Sequence, residues 1–362
     1  MDEMIDRCIL IDDRRIELWW SRQMRGADDV RSFSVMLDDR ELALVNWVPG
    51  MPWSHGTLYQ KERIRTTTSL SEPVDAARAA DLRVHVTGDV CDLWGRSASG
   101  IVAVPVYEPY YTQFLSSRDG IVVKASSEVQ PLALEIVRDI VDIMLERLPE
   151  VAEHLRSIGA ECMVFALGLD AYDVPEHRMG YLLSQRDVPG LGGDHDNPFA
   201  SVAEANVIRL LSGRYTTRYH NELVFVHEFA HSIHQAGMDY LVDRTFADRV
   251  RWTYRNAVEH GLWPSTYGIL DFSEYFATLS SIWFNAQAEG INGEWDGIRG
   301  PVNMRDELRG YDPEGYAFMA DIYPEKLLPF PWDTNRDAYH LGEEREPLDF
   351  DPRFSYGGVR ER

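Results

Sequence analysis

The chain has 362 residues, 44% of them hydrophobic, which is enough apolar material for two domains or one large one. Acidic residues outnumber basic ones by 59 to 36, and the net charge is −23. Because such a surface repels phosphate groups and anionic lipids, we expect neither nucleic-acid binding nor membrane docking.

The N-terminus is acidic where a secretory signal would be basic, and no apolar run is long enough to span a membrane. Cys8, Cys91 and Cys162 are widely spaced and form no CxxC pair, which indicates reduced thiols. These features together predict a cytoplasmic protein.

Short segments rich in β-branched and aromatic residues run through residues 1–125, separated by Gly, Asp or Pro. Examples are "SFSVMLDD", "DLRVHVTGDV" and "GIVVKASSEV". This pattern is typical of strands joined by turns, and it predicts a β-rich N-terminal module over residues 1–125.

The pattern changes after residue 125. Apolar residues at three- and four-residue steps predict an amphipathic helix whose buried face holds Leu134, Val137, Val141, Met144, Leu145 and Leu148. "ECMVFALGL" then predicts a buried strand, "DVPGLGGDHDNPFAS" predicts a loop, and helical patterns continue to about residue 290. The predicted fold class is therefore α+β: the N-terminal module, then a mostly helical domain over residues 126–362 with a small sheet.

The segment "VHEFAHSIHQ" carries the strongest functional signal. His227 and His231 are four residues apart, so on a helix they lie on one face and can bind one ion, for which neutral imidazole favours Zn²⁺. Glu228 can then take a proton from a water molecule at the open coordination position, as a general base. The apolar flanks predict a buried helix, in which unpaired polar groups would be costly.

A catalytic zinc site needs a third protein ligand. Glu274 is the favoured candidate, because it begins a second helical pattern, "SEYFATLSSIW", and a carboxylate from a neighbouring helix would complete the site. Asp239 is an alternative of the aspzincin kind. His234 extends the histidine stripe, but three ligands from one straight helix cannot surround an ion, so we interpret His234 as a supporting or cleft residue.

"HEFAH" followed by "TYGILDFSEYFA" resembles the gluzincins of the anthrax lethal factor type and their bacterial and fungal relatives. The resemblance covers roughly residues 130–330 and includes "VPGLGG", "SVAEANVIRLL" and "YDPEGYAFMADIYP". It implies a zincin-like metalloprotease domain with His227, His231 and Glu274 as zinc ligands and Glu228 as general base. It also implies that Tyr267, seven residues before Glu274, stabilises the oxyanion.

The chain departs from these relatives at two positions near Glu274. Asp271 replaces the usual Asn, and Thr278 stands where a carboxylate often orients a zinc-bound histidine. Another group must then orient that histidine, and Glu204, Asp271 or a backbone carbonyl are candidates.

The loop "GLGGDHDNPF" precedes the histidine helix and contributes Gly192, Gly193 and His195 as candidate substrate contacts. Backbone groups at glycines can pair with an extended substrate along a sheet edge. A solvated acidic loop without a binding role is the other interpretation.

Three functions fit these residues. The first is a zinc metallohydrolase that cleaves a peptide or small-molecule amide bond. The second keeps zinc and the fold but uses the metal as a Lewis acid on a small biosynthetic metabolite. The third is a catalytically silent binding module, which the intact HExxH motif disfavours, since a relict site would tend to lose Glu228 first.

Overall fold

The computed structural model describes residues 4–27, 29–48, 63–177 and 188–333. The fold is α+β, with strands predominant in the N-terminal region and helices in the C-terminal part, as the sequence predicts. The chain divides into two compact units, one drawn from Met1–Thr112 and Tyr172–Arg186 and the other from Gln113–Ala171 and Asp187–Arg362. This division differs from a boundary at residue 125, since residues 113–125 belong to the second unit and a later segment returns to the first.

The first unit contains two antiparallel-rich sheets among its described residues. One has the order β10-β1-β2-β6-β5 with β8 paired to β2, and the other has the order β4-β3-β7-β9. The strands are β1 (Ile5–Leu10), β2 (Arg15–Arg25), β3 (Phe33–Leu37), β4 (Arg40–Leu42), β5 (Leu44–Val48), β6 (Arg63–Leu70), β7 (Leu82–Val86), β8 (Cys91–Asp92), β9 (Val102–Ala103) and β10 (Val106–Tyr107).

A buried ion pair joins the segment after residue 171 to the first unit. Arg15 Nε lies 3.0 Å from Glu176 Oε1, and the Tyr111 hydroxyl donates to Glu176 Oε2. All three side chains are buried. Removing one partner of such a pair costs roughly 3–5 kcal/mol, because the remaining charge is left uncompensated. This contact explains why Glu176 belongs with a strand more than 150 residues earlier in the chain.

The second unit is built on a five-stranded sheet of order β11-β12-β13-β15-β14. Its strands are β11 (Gln113–Ser116), β12 (Val122–Ala125), β13 (Glu161–Phe165), β14 (Gly190–Leu191) and β15 (Phe199–Ala203). β12, β13 and β15 are parallel, and β14 pairs antiparallel with β15. The predicted loop over 187–201 therefore contains an edge strand and the start of a central one, which its glycines and prolines concealed.

Eight described helices complete this unit: α1 (Pro131–Leu145), α2 (Pro149–Ser157), α3 (Glu204–Val207), α4 (Val224–His231), α5 (Thr245–Glu259), α6 (Phe272–Trp283), α7 (Arg305–Tyr311) and α8 (Pro313–Ile322). The six residues predicted for the apolar helical face are all buried. Burying each such side chain stabilises the folded state by roughly 1.5–3 kcal/mol relative to leaving it exposed to water. None of the helices in the described ranges combines the length and apolar character needed to cross a membrane.

Candidate metal centre

α4 carries the HExxH motif and contacts both β15 and α6. Its start is fixed by the buried Asn206, whose Oδ1 accepts a hydrogen bond from Val224 N at 2.9 Å. The Asn206 amide nitrogen donates to the carbonyl of Glu222 at 2.8 Å. Since Leu223 at the N-cap has no side chain that could accept from the helix, Asn206 supplies the cap from another element. The helix then widens into a π-helical turn over Ser232–Gly237.

His227, His231 and Glu274 bring one donor atom each to a common point. His227 Nε2 lies 3.1 Å from His231 Nε2, and Glu274 Oε2 lies 3.1 Å from the first and 3.5 Å from the second. The four-residue step on α4 aligns the two imidazoles, and the contact between α4 and α6 delivers the carboxylate. The three ligands that the sequence predicts are thus adjacent.

The spacing of these donor atoms fits a tetrahedral ion. Metal–ligand bonds of about 2.0–2.1 Å in tetrahedral geometry separate neighbouring donors by about 3.3 Å. The same distances also permit hydrogen bonds among the three side chains, since each imidazole can present either a lone pair or a proton at Nε2. Two histidines and one glutamate are also a donor set found in catalytic zinc sites.

Glu274 is positioned by the start of α6. Asp271 is the N-cap, and its carboxylate accepts hydrogen bonds from Ser273 N at 2.8 Å and Glu274 N at 2.9 Å. Asp271 was a candidate for orienting a histidine, but the structure gives it this capping role instead. Asp is among the residues that cap helix N-termini best.

Ser273 is a functional residue that the sequence analysis missed. Its Oγ lies 2.9 Å from His231 Nδ1, and both side chains are buried. A proton on Nδ1 that is donated to this oxygen leaves the lone pair of Nε2 free for an ion. Of the side chains considered for orienting a histidine, Glu204 instead accepts from Gln130 N at 2.9 Å, so Ser273 is the one found in contact with His231. Its position directly before Glu274 could have suggested it.

Charge interactions set the protonation of the cluster. Burial acts to raise the pKa of Glu274, but hydrogen bonds to His227 and His231 outweigh it and hold that pKa well below its usual range. Burial lowers the pKa of His227, and the carboxylates of Glu274, Glu228 and Glu222 reverse this to a net rise. For Glu228, burial is the main cause of a raised pKa. The carboxylate of Glu274 is therefore ionised and available as a ligand.

Tyr267 and Glu228 flank the cluster. The Tyr267 hydroxyl donates to Glu274 Oε1 at 3.1 Å, and its side chain is 44% exposed. Its ring centroid lies 6.2 Å from that of His227. Glu228 is partly exposed and follows His227 on α4. The phenol thus contacts the cluster directly, and the carboxylate of Glu228 lies near enough to interact electrostatically with its imidazoles.

The glycines of the preceding loop are needed for close packing against α4. A Cβ on Gly192 would lie 2.6 Å from His231 Cβ and 2.9 Å from the backbone oxygen of Glu228. Gly193 N donates to Ser232 Oγ at 3.1 Å. The loop therefore approaches α4 closely, and β14 contacts the same helix.

Three other candidates make different contacts. His195 stacks on Tyr240, with ring centroids 3.7 Å apart. His234 is fully buried against Phe272 and Phe276 of α6, so its interpretation as a cleft residue is corrected: it packs the two helices together. The alternative ligand Asp239 pairs with Arg251 at 2.7 Å and is not in the cluster.

Comparison with known proteins gives no family. No protein-family model matches the chain, and no curated protein matches it. Among solved structures, the N-terminal part of the bacterial S-layer protein SbsC aligns with a TM-score of 0.22 and 13% identity, over 32% of this chain and 26% of that one. A structure of SbsC domains 1–6 aligns with a TM-score of 0.23 and 13% identity, over 32% of this chain and 15% of that one. The match thus spans about a quarter or less of those proteins, and TM-scores this low do not indicate a shared fold.

Proposed function

We propose that this protein is a zinc-dependent metallohydrolase of the gluzincin type that cleaves a peptide or small-molecule amide bond. The observation that carries the proposal is the convergence of His227, His231 and Glu274 within 3.5 Å of one another, with Glu228 on the same helix. In this proposal the three side chains hold Zn²⁺, which supplies Lewis acidity for a carbonyl and for a water molecule.

Glu228 acts as the proton carrier. Its carboxylate interacts electrostatically with His227, His231 and Glu274, so it lies near the cluster without being one of the three grouped side chains. It accepts a proton from the attacking water and passes this proton to the nitrogen of the leaving amine.

Tyr267 stabilises negative charge on the carbonyl oxygen as the tetrahedral centre forms. Its hydroxyl is a hydrogen-bond donor already directed at the cluster, since it donates to Glu274 Oε1. In this role the hydroxyl transfers its hydrogen bond from Glu274 Oε1 to the carbonyl oxygen as negative charge develops there.

An extended substrate can pair with β14. Among the described strands it is the last in its sheet, and an extended chain binds a sheet by pairing with such an end strand. Gly192, which follows β14, packs against His231 and Glu228, and this holds the edge next to the cluster. Gly193 and His195 continue the loop beyond it.

We also propose that the protein acts in the cytoplasm and binds no nucleic acid. All three cysteines are free, and burial raises the pKa of the Cys8 thiol to about 12, which keeps it unreactive. Such thiols are typical of a reducing compartment. The net charge of −23 disfavours phosphate backbones as partners.

The test is metal analysis followed by a peptide-library digest. We expect about one zinc per chain, lost in His227→Ala, and turnover of peptides that Glu228→Gln abolishes while retaining zinc. Glu259→Gln, an exposed position on α5, is the control for the same change of charge and should remain active. Absence of zinc from the wild type would overturn the proposal. Bound zinc with intact peptides would instead favour Lewis-acid chemistry on a metabolite.

A further inference from the structure

A loop that precedes α7 presents Arg299 from a fixed backbone. The Asp296 carboxylate accepts hydrogen bonds from Ile298 N at 2.8 Å and Arg299 N at 2.7 Å, and Asp296 N donates to the carbonyl of Arg299 at 3.1 Å. Gly290 N closes the base of the loop on the carbonyl of Gly300. These bonds hold the backbone of Arg299 in one conformation before any ligand binds.

This loop lies beside the candidate metal centre. Tyr267 N donates to the carbonyl of Ile298 at 2.9 Å, so the residue next to Arg299 is paired with the residue that contacts Glu274. On the other side, Arg299 Nε donates to Glu222 Oε2 at 2.6 Å. Glu222 immediately precedes the N-cap of α4, five residues before His227. Arg299 therefore bridges the two chain segments that deliver the metal ligands and the phenol.

Among the described residues, the Arg299 guanidinium forms a side-chain hydrogen bond through Nε. Its Nε binds Glu222, and its central carbon lies 5.9 Å from the Tyr219 ring. Within the described ranges, neither Nη atom donates a hydrogen bond to another residue, and the side chain is 20% exposed. The Nη edge of a guanidinium is a planar pair of donors that matches a carboxylate. A rigidly held cation with this edge open is built to receive an anion.

We propose that Arg299 binds a carboxylate of the substrate close to the bond that is cleaved. This rests on the proposed hydrolase function and narrows its substrate class to peptides or amides that carry a free carboxylate, either the C-terminal one or an acidic side chain. Glu222 serves as the positioning residue that fixes Nε and turns the Nη edge outward. The carboxylates of Glu222 and Glu274 would repel an anionic substrate if no cation lay in the same region.

The test measures binding to the metal-free protein in the presence of a chelator, so that neither zinc nor turnover enters the result. The probes are N-acetylphenylalanine, its neutral amide, and N-acetylglutamate N-methylamide, whose carboxylate is on the side chain. We expect the better of the two acids to bind at least about tenfold more tightly than the amide. Tighter binding of N-acetylphenylalanine would indicate that Arg299 recognises a C-terminal carboxylate. Tighter binding of N-acetylglutamate N-methylamide would indicate an acidic side chain.

Variants separate a binding role from a structural one. Arg299→Met should remove the preference for acid over amide, and Arg299→Lys should retain part of it. Glu222→Gln retains an oxygen that can accept from Arg299 Nε but removes the competing negative charge, so acid binding should become stronger. If the Arg299–Glu222 pair had only a structural role, Arg299→Met and Glu222→Gln would both weaken acid binding. Arg255→Met on α5 alters the net charge equally and should have no effect. Equal binding of acid and amide by the wild type, no measurable acid binding, or a preference that survives Arg299→Met would overturn the proposal.

Discussion

His231 Nδ1 and Ser273 Oγ lie 2.9 Å apart in the core between α4 and α6. The contact links a residue of the HExxH helix to the neighbour of Glu274, so one hydrogen bond orients an imidazole and fixes the spacing of the two helices. A hydroxyl does this without adding a charge, whereas a carboxylate at the same place would make the imidazole more basic.

Ser273→Ala should weaken zinc binding by about ten- to a hundredfold, because the imidazole of His231 loses the acceptor that sets its tautomer. Competition with a chelator of known affinity measures this directly. Ser281→Ala is the matched control: it removes a buried hydroxyl from the same helix, and Ser281 Oγ donates to the backbone of Ala277. If both variants retain zinc equally well, Ser273 does not orient the ligand.

Local periodicity predicted that the two candidate ligands on α4 would lie together. A four-residue step fixes the relation of His227 to His231, so their proximity follows from the sequence alone. Glu274 is 43 residues further on, and its choice over Asp239 rested on a helical pattern and a family resemblance. Ser273 was not recognised, because a serine near a helix start is ordinarily interpreted as part of a cap. The structure assigns the cap to Asp271 instead.

Features that depend on contacts between distant parts of the chain could not be predicted from local sequence patterns. The segment "GIVVKASSEV" was correctly recognised as strand-forming, but nothing in its composition reveals that β12 pairs in parallel with β13, 39 residues later. β14 was missed for a related reason, since its two residues become a strand only through pairing with β15. Arg299 is an isolated arginine in a loop, and only the fold brings it to Glu222.

Gly192→Ala should destabilise the protein by roughly 1–3 kcal/mol, because the added methyl group would overlap His231 Cβ and the backbone oxygen of Glu228. Zinc content should fall with it. Gly310→Ala is the contrasting variant: the position lies within α7 with nothing within 4 Å of the added Cβ, so a gain of roughly 0.5–1 kcal/mol is expected. Urea unfolding measures the free energy of unfolding of both variants. Equal values would contradict the close approach of Gly192 to His231.

Tyr267→Phe should lower kcat by about a hundred- to a thousandfold, since a donor to the developing oxyanion is removed while the aromatic ring remains. Zinc content should be unchanged, because the hydroxyl contacts Glu274 Oε1 and not the oxygen that faces the histidines. Tyr316→Phe on α8 removes a phenol that contacts Arg309 and serves as the control. An unaltered kcat in Tyr267→Phe would remove the assigned role.

Glu204 should make stability depend on pH. Burial raises its pKa from 4.5 to about 7, although it accepts a hydrogen bond from Gln130 N. Because the folded state holds the proton more tightly than the unfolded state, the stabilisation is fully present below about pH 4.5 and is lost as the pH rises through about 7. The difference in pKa corresponds to roughly 3 kcal/mol across that interval.

Urea unfolding of the metal-free protein between about pH 5.5 and pH 8 measures this effect, with chelator present so that zinc binding does not contribute. Other groups titrate in the same range, so the informative quantity is the difference between wild type and Glu204→Gln. Gln cannot ionise but retains an oxygen that can accept from Gln130 N, and the variant should therefore gain stability relative to the wild type as the pH rises. A constant difference over the whole range would mean that Glu204 ionises alike in the folded and unfolded states.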